Sequence, residues 1–137
     1  MGKILGLDYG KKRCGISITD ELRLIASPLT TVNTNELMNF LVEIVKKEKI
    51  SILVIGEPKD KNDNFFHLEK SIQDFIKKIK IHIPALVIKR EDERFTSKLS
   101  RIYINQLTNK RRVKVDKKNL DKISASLILE SYLKRNE

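Results

Sequence analysis

Lys3-Ile4-Leu5-Gly6-Leu7-Asp8-Tyr9-Gly10-Lys11-Lys12-Arg13-Cys14-Gly15-Ile16-Ser17-Ile18-Thr19 reads as two strands and the turn between them. Lys3 to Leu7 is a short apolar run closed by Asp8-Tyr9-Gly10, and from Arg13 onward Cys14, Ile16 and Ile18 alternate with Gly15, Ser17 and Thr19, the period of a strand. Lys11, Lys12 and Arg13 decorate the turn, and Gly10 is expected to supply the backbone freedom of a sharp reversal. A third strand is predicted over Arg23 to Thr31, with Pro28 suiting an edge. The chain therefore opens as an antiparallel meander.

Past the meander the apolar period becomes helical. Leu37, Phe40, Leu41, Ile44 and Val45 share one face of a helix predicted to run to about Lys49, and Asn33 with Glu36 has the spacing of a capping box. Ile52 to Ile55, closed by Gly56 and Pro58, reads as a strand buried on both faces beside the first strand. Phe65, Leu68, Ile72, Phe75, Ile76 and Ile79 mark a second helix. Ala85 to Ile88 then forms the next buried strand, with Glu91-Asp92-Glu93-Arg94 just past its carboxyl end. Thr96 caps a third predicted helix striped by Leu99, Ile102, Tyr103 and Leu107. Asn109 to Lys118 has no apolar period and reads as a basic, mobile loop. A last helix starts near Leu120 and is apolar over most of its circumference, so it belongs against a sheet. The expected class is α/β: one domain, residues 1–137, with a mixed five-stranded sheet, an antiparallel meander then parallel strands, flanked by helices.

A chain of 137 residues with 40 % hydrophobic content can bury a core without disulfides. Its 28 Lys and Arg against 18 Asp and Glu give a net charge of +10, which attracts polyanions and makes nucleic acid the expected partner. The single cysteine, Cys14, cannot form an intramolecular disulfide and lacks a nearby His, so it reads as a core side chain in a reducing compartment. No charged leader precedes the first strand and no apolar run approaches membrane-spanning length. A cytoplasmic protein without membrane contact is expected.

Three carboxylates fall where burial of their neighbours drives them toward the carboxyl end of the central strands. Asp8 ends the first strand, Glu93 follows the last, and Asp121 shares a helical stripe with Ala125, Ile128 and Tyr132. Clustered carboxylates need compensation, and a hard divalent cation with oxygen ligands, Mg²⁺ or Mn²⁺, supplies it. Two such ions about 3.5–4 Å apart can activate water and stabilise the leaving oxygen of a phosphodiester. Singly, each acid has a plainer use: Asp8 as a turn cap, Glu93 paired with Arg94, Asp121 favoured by a helix N-terminus. Glu57 and Asp92 rank as secondary acids, and His67 and His82 have no partner at metal-ligand spacing. Tyr9, Phe65 and Phe66 could stack on bases, although core packing is the more economical use.

These segments resemble the YqgF, or RuvX, family of pre-16S ribosomal RNA nucleases and Holliday-junction-resolvase-like proteins. The resemblance is carried by Gly6-Leu7-Asp8-Tyr9-Gly10-Lys11-Lys12-Arg13-Cys14-Gly15 with Asp20 following, by Val54-Ile55-Gly56-Glu57-Pro58, by Asp92-Glu93-Arg94-Phe95-Thr96-Ser97, and by Asp121-Lys122-Ile123-Ser124-Ala125 leading into Ile128-Leu129-Glu130-Ser131-Tyr132-Leu133. It implies a ribonuclease-H-like fold, catalytic acids at Asp8, Glu93 and Asp121, and trimming of the 5′ end of precursor small-subunit ribosomal RNA in a bacterial cytoplasm. The chain departs from the family at Glu57, at Lys59 to Asn64, and at Lys122 and Ile123.

The leading expectation is thus a metal-dependent endonuclease on structured RNA. Lys11, Lys12 and Arg13 in the turn, and Lys110, Arg111, Arg112 and Lys114 in the basic loop, hold phosphates on either side of the metals, while Arg94 and Arg101 clamp the backbone and Thr96 and Ser97 offer hydroxyls. Alternatives are a resolvase of four-way DNA junctions, which calls for a symmetric dimer, and a non-catalytic nucleic-acid-binding factor. A nucleotide-binding ATPase with a similar Asp-Tyr-Gly turn needs two domains, for which this chain is too short. No dimer helix is legible, and a monomer or weak homodimer is expected.

Overall fold

The computed structural model describes residues 2–58, 63–92 and 117–136. Five strands form one sheet: β1 (Lys3–Asp8), β2 (Arg13–Thr19), β3 (Ala26–Asn33), β4 (Ile50–Glu57) and β5 (Val87–Asp92). Three helices accompany them among the described residues: α1 (Leu37–Lys47), α2 (Asp63–His82) and α3 (Lys117–Arg135). The strand order is β3-β2-β1-β4-β5, antiparallel from β1 through β3 and parallel from β1 through β5. The mixed sheet expected from the sequence is the one observed.

Alternation along the strands divides the core into two layers. Leu5 and Leu7 of β1, Cys14 and Ile16 of β2, and Leu53 and Ile55 of β4 meet Leu37, Leu41 and Ile44 of α1 and Ile72, Phe75, Ile76 and Ile79 of α2. On the other face, Ile4 and Val54 meet Ile128, Leu129 and Tyr132 of α3. Each fully buried Leu or Ile contributes about 1.5–3 kcal/mol, so strand alternation is strongly held in register.

Several boundaries differ from the sequence reading, each for a physical reason. The third strand is Ala26–Asn33 rather than Arg23 to Thr31, because Asp20 accepts hydrogen bonds from Leu24 N and Ile25 N and closes a turn ahead of it. Its edge position holds: the register shifts where Pro28 pairs with Ser17, so the residue lacking an N–H sits beside a bulge on an edge strand. Asn33 pairs with Arg13 in the ladder and makes no side-chain cap, so the expected capping box is replaced by a 3₁₀ turn over Thr34–Glu36. The first helix ends at Lys47, and Lys49 adopts a left-handed φ of 54° before β4 begins.

β4 extends to Ile50–Glu57, two residues beyond the predicted run at each end, through pairing with β1 and β5. Strand β5 runs over Val87–Asp92 instead of Ala85 to Ile88, so Glu91 and Asp92 belong to the ladder and do not lie past its end. The last helix starts at Lys117, three residues before Leu120, taking Lys117 and Lys118 out of the predicted loop. The predicted helix after Thr96 and the rest of the basic stretch, 109–116, fall outside the described residues. Among the described residues, no helix is long and apolar enough to cross a membrane.

Candidate active site

Asp8 is the last residue of β1 and lies directly opposite Gly15 of β2. Opposed residues of an antiparallel pair share a face, and residues two apart along a strand do as well. Ile4, Gly6 and Asp8 therefore present to the face covered by α3, as do Arg13, Gly15, Ser17 and Thr19 of β2. Two glycines on that face let the helix come close. A Cβ at Gly15 would stand 1.9 Å from the carbonyl oxygen of Asp121, and one at Gly6 would stand 2.8 Å from that of Ala125. Ser17 Oγ donates to Ala125 O at 2.7 Å, and Thr19 Oγ1 accepts from Ile4 N at 2.9 Å, so the polar residues buried beneath α3 are satisfied.

This seating brings Asp121 to the open end of β1 and β2. Asp8 is half-buried there, and Arg13 Nε donates to Asp121 Oδ2 at 3.1 Å. Burial pushes the Cys14 thiol pKa up, hydrogen bonds with Thr34 and Gly10 work against that, and the charges of Asp8 and Asp121 add to the rise. The raised pKa and complete burial also fit the reading of Cys14 as a core side chain.

The turn joining β1 to β2 is held from outside. Thr34 Oγ1 donates to Gly10 O at 2.7 Å and Thr34 N donates to Lys12 O at 2.9 Å. Gly10 has no left-handed φ, contrary to the expectation of special backbone freedom. Its role is space, because a Cβ there would lie 2.3 Å from Arg13 O. Lys11 and Lys12 are exposed on this turn and free to reach a polyanion, whereas Arg13 is turned onto Asp121. Tyr9 packs its ring against Phe75 at 5.6 Å between centroids, which is a core use and not a stacking platform.

The secondary acids separate from the pair. Glu57 and Asp92 occupy the alternate positions of their strands, on the face of Leu53, Ile55 and Arg90, away from that of Asp8. Glu91 faces α3 but is already engaged: it is 5 % exposed and accepts from Ser131 Oγ at 2.7 Å and Arg135 Nε at 2.9 Å. His67 and His82 are exposed. Glu93, Arg94, Thr96, Ser97, Arg101, Lys110, Arg111, Arg112 and Lys114 lie outside the described residues. Among the described residues no three His, Cys, Asp or Glu side chains group to hold a metal ion. The donor chemistry of Asp8 and Asp121, two carboxylates on one face with a cationic side chain drawn onto one of them, suits a hard cation with oxygen ligands.

Sequence reasoning passed over Gly15, Ser17 and Thr34, which fix the positions of Asp121 and the turn. The available signal was two small residues, Gly6 and Gly15, at inward strand positions where Ile or Val would normally stand.

Comparison with known proteins follows the same lines. The sequence profile of the RuvX family, described as Holliday junction resolvase, matches residues 2–135. A protein of Amoebophilus asiaticus assigned as a pre-16S rRNA nuclease is 43 % identical over 133 residues, covering 97 % of this chain and 94 % of its own. A counterpart in Karelsulcia muelleri, with the same assignment, is 46 % identical over 141 residues, covering 98 % and 99 %. Among solved structures, RuvC of Thermus thermophilus, in complex with Holliday junction substrate, superposes with a TM-score of 0.61 at 10 % identity over 98 % of this chain and 96 % of that one. The fold is that of RuvC, ribonuclease-H-like.

Proposed function

Because the chain belongs to the RuvX family, we propose that it is a single-domain, metal-dependent endonuclease that hydrolyses phosphodiester bonds of precursor 16S ribosomal RNA near its 5′ end, in the cytoplasm. The observation that carries this reading is the seating of the α3 backbone at Asp121 on Gly15, the residue that pairs with Asp8. Glu93 is the third acid of the proposal, supported by its place in the sequence directly after β5.

Asp8, Glu93 and Asp121 would hold Mg²⁺ or Mn²⁺. The bound metal supplies activation of the attacking water and charge stabilisation at the leaving oxygen. The remaining work falls to the chain itself. Asp8 and Asp121 are held by the sheet and by a helix in backbone contact with it, so the ligands are organised before substrate arrives. Lys11 and Lys12, exposed on a turn pinned by Thr34, draw in the phosphate backbone, and Arg94, Thr96, Lys110, Arg111, Arg112 and Lys114 are proposed to extend that contact. Substrate choice rests on the relatives assigned to pre-16S rRNA, and the chain is expected to act as a monomer or weak homodimer.

The test is cleavage of a precursor ribosomal RNA fragment and of a DNA four-way junction, each with Mg²⁺, Mn²⁺ or chelator, by wild type and by Asp8→Asn. Cutting of the RNA that needs metal and falls by at least about 10²-fold in the mutant is expected. Selective cutting of the junction would assign the substrate to DNA, and tight binding without cutting of either would remove the enzymatic reading.

A further inference from the structure

Arg13 is a cation that the structure shows engaged with Asp121. It opens β2, shares the face of Gly15, and meets Asp121 through Nε alone, with the two side chains 33 % and 26 % exposed. Other arginines of the protein are held quite differently. Arg90 donates to both carboxylate oxygens of Glu69 and to the carbonyls of Ile55 and Gly56, locking β4 and β5 to α2. Arg135 sends Nε and Nη2 to the buried carboxylate of Glu91. A single, partly hydrated bond of the Arg13 kind is weak and exchangeable.

We propose that Arg13 and a divalent cation occupy Asp121 in turn: Arg13 neutralises the carboxylate when no metal is bound, and metal binding releases the guanidinium to a phosphate of the nucleic acid. The proposal deepens the nuclease reading and rests on it. Its physical basis is that Asp121 cannot serve both cations fully, since a dication on its carboxylate would repel a guanidinium on the same group. Released, Arg13 stays beside Lys11 and Lys12 on a turn held by Thr34, and its planar fork matches two oxygens of a phosphate.

The experiment titrates Mn²⁺ alone into the metal-free full chain by calorimetry, for wild type, Arg13→Gln and Arg13→Lys. Removing the competitor is expected to tighten Mn²⁺ binding about three- to tenfold in Arg13→Gln, whereas Arg13→Lys, which keeps the charge, stays near wild type and controls for folding. A second arm measures binding of an oligouridylate in EDTA and in Ca²⁺. Arg13→Gln is expected to lose about tenfold in affinity with Ca²⁺ and little in EDTA, where Arg13 is engaged with Asp121. Mn²⁺ affinity unchanged or weakened in Arg13→Gln overturns the exchange, and so does an equal loss of oligouridylate binding in both conditions. A wild type that shows the exchange yet cuts no RNA overturns the nuclease reading alone; one that cuts RNA with metal while Arg13→Gln binds Mn²⁺ as wild type does overturns the exchange alone. If no variant binds Mn²⁺, both fail.

Discussion

Replacing Gly15 with alanine should disable the site through the helix above it. The new Cβ would lie 1.9 Å from Asp121 O, 2.2 Å from Asp121 C and 2.8 Å from Lys122 N, all backbone atoms. Ordinary contact for such a carbon begins near 3.4 Å, so the first turns of α3 must lift by about 1.5 Å or β2 must sink by as much. Overpacking of this kind costs about 1–3 kcal/mol, and with no flexible side chain to yield, the upper figure is expected here. The same lift carries Asp121 away from Asp8, and a misplacement of about 1 Å can lower rate by roughly 10²-fold. The assay pairs a urea melt with Mn²⁺ titration and RNA cleavage, all read well below the unfolding transition. Leu129→Ala is the control: it opens a cavity beneath the middle of α3 at a cost of about 2–5 kcal/mol and leaves the contact of Gly15 with Asp121 intact. Loss of metal affinity in Gly15→Ala but not in Leu129→Ala supports the reasoning. A Gly15→Ala protein as stable and active as wild type would refute the described seating of α3, and equal loss in both variants would refute the specific link from Gly15 to Asp121.

Three further outcomes can be checked with the same purified protein. Glu91→Ala should cost about 2–3 kcal/mol in a urea melt, because Ser131 loses its acceptor and Arg135 its buried counter-charge, while Glu91→Gln, which keeps an acceptor, should cost less. Ser17→Ala removes the bond to Ala125 O and should cost about 1 kcal/mol in stability without changing the metal dependence of cleavage. The thiol of Cys14 has its pKa raised in the folded state by burial, so its contribution to stability is complete below the unfolded value, ordinarily 9.0, and declines as pH rises toward the folded one. Urea midpoints at pH about 8 and about 10 should therefore converge in Cys14→Ala relative to wild type, and a thiol reagent should label the native protein far more slowly than the unfolded chain.

The sheet was legible because its signals are local. Alternation at Cys14, Ile16 and Ile18, and the apolar run Ile52 to Ile55, follow from the period of a strand alone, and Pro28 marked the edge because a missing N–H cannot serve a central ladder. Boundaries were less legible because pairing partners set them: β4 and β5 are drawn out to Glu57 and Asp92 by each other, which no propensity of the individual segments encodes. The packing of α3, with Asp121 on it, against the sheet was readable in outline from its apolar stripe. The reason it is close was not, since it depends on what Gly6 and Gly15 lack. Arg13 was read as a phosphate contact from its place among Lys11 and Lys12, and its bond to Asp121 could only come from the tertiary seating of α3.

That seating has a consequence for how the site keeps its shape. Besides the apolar packing of Ile128, Leu129 and Tyr132, α3 is fixed to the sheet at two separated places: over its first half, by backbone contact over Gly15 and Gly6 and the bond from Ser17, and toward its end, by Ser131 and Arg135 on Glu91. The first attachment belongs to β1 and β2, the strands of Asp8 and Arg13; the second belongs to β5, whose chain runs on from Asp92 to Glu93. One helix therefore couples the antiparallel and parallel halves of the sheet that carry the proposed acids. A helix attached at one end only could pivot, and a pivot about Glu91 would move Asp121 far, because it lies about 15 Å along the helix from Ser131. The glycines on β1 and β2 remove that freedom by letting backbone rest on backbone, where no side-chain rotamer can absorb a displacement.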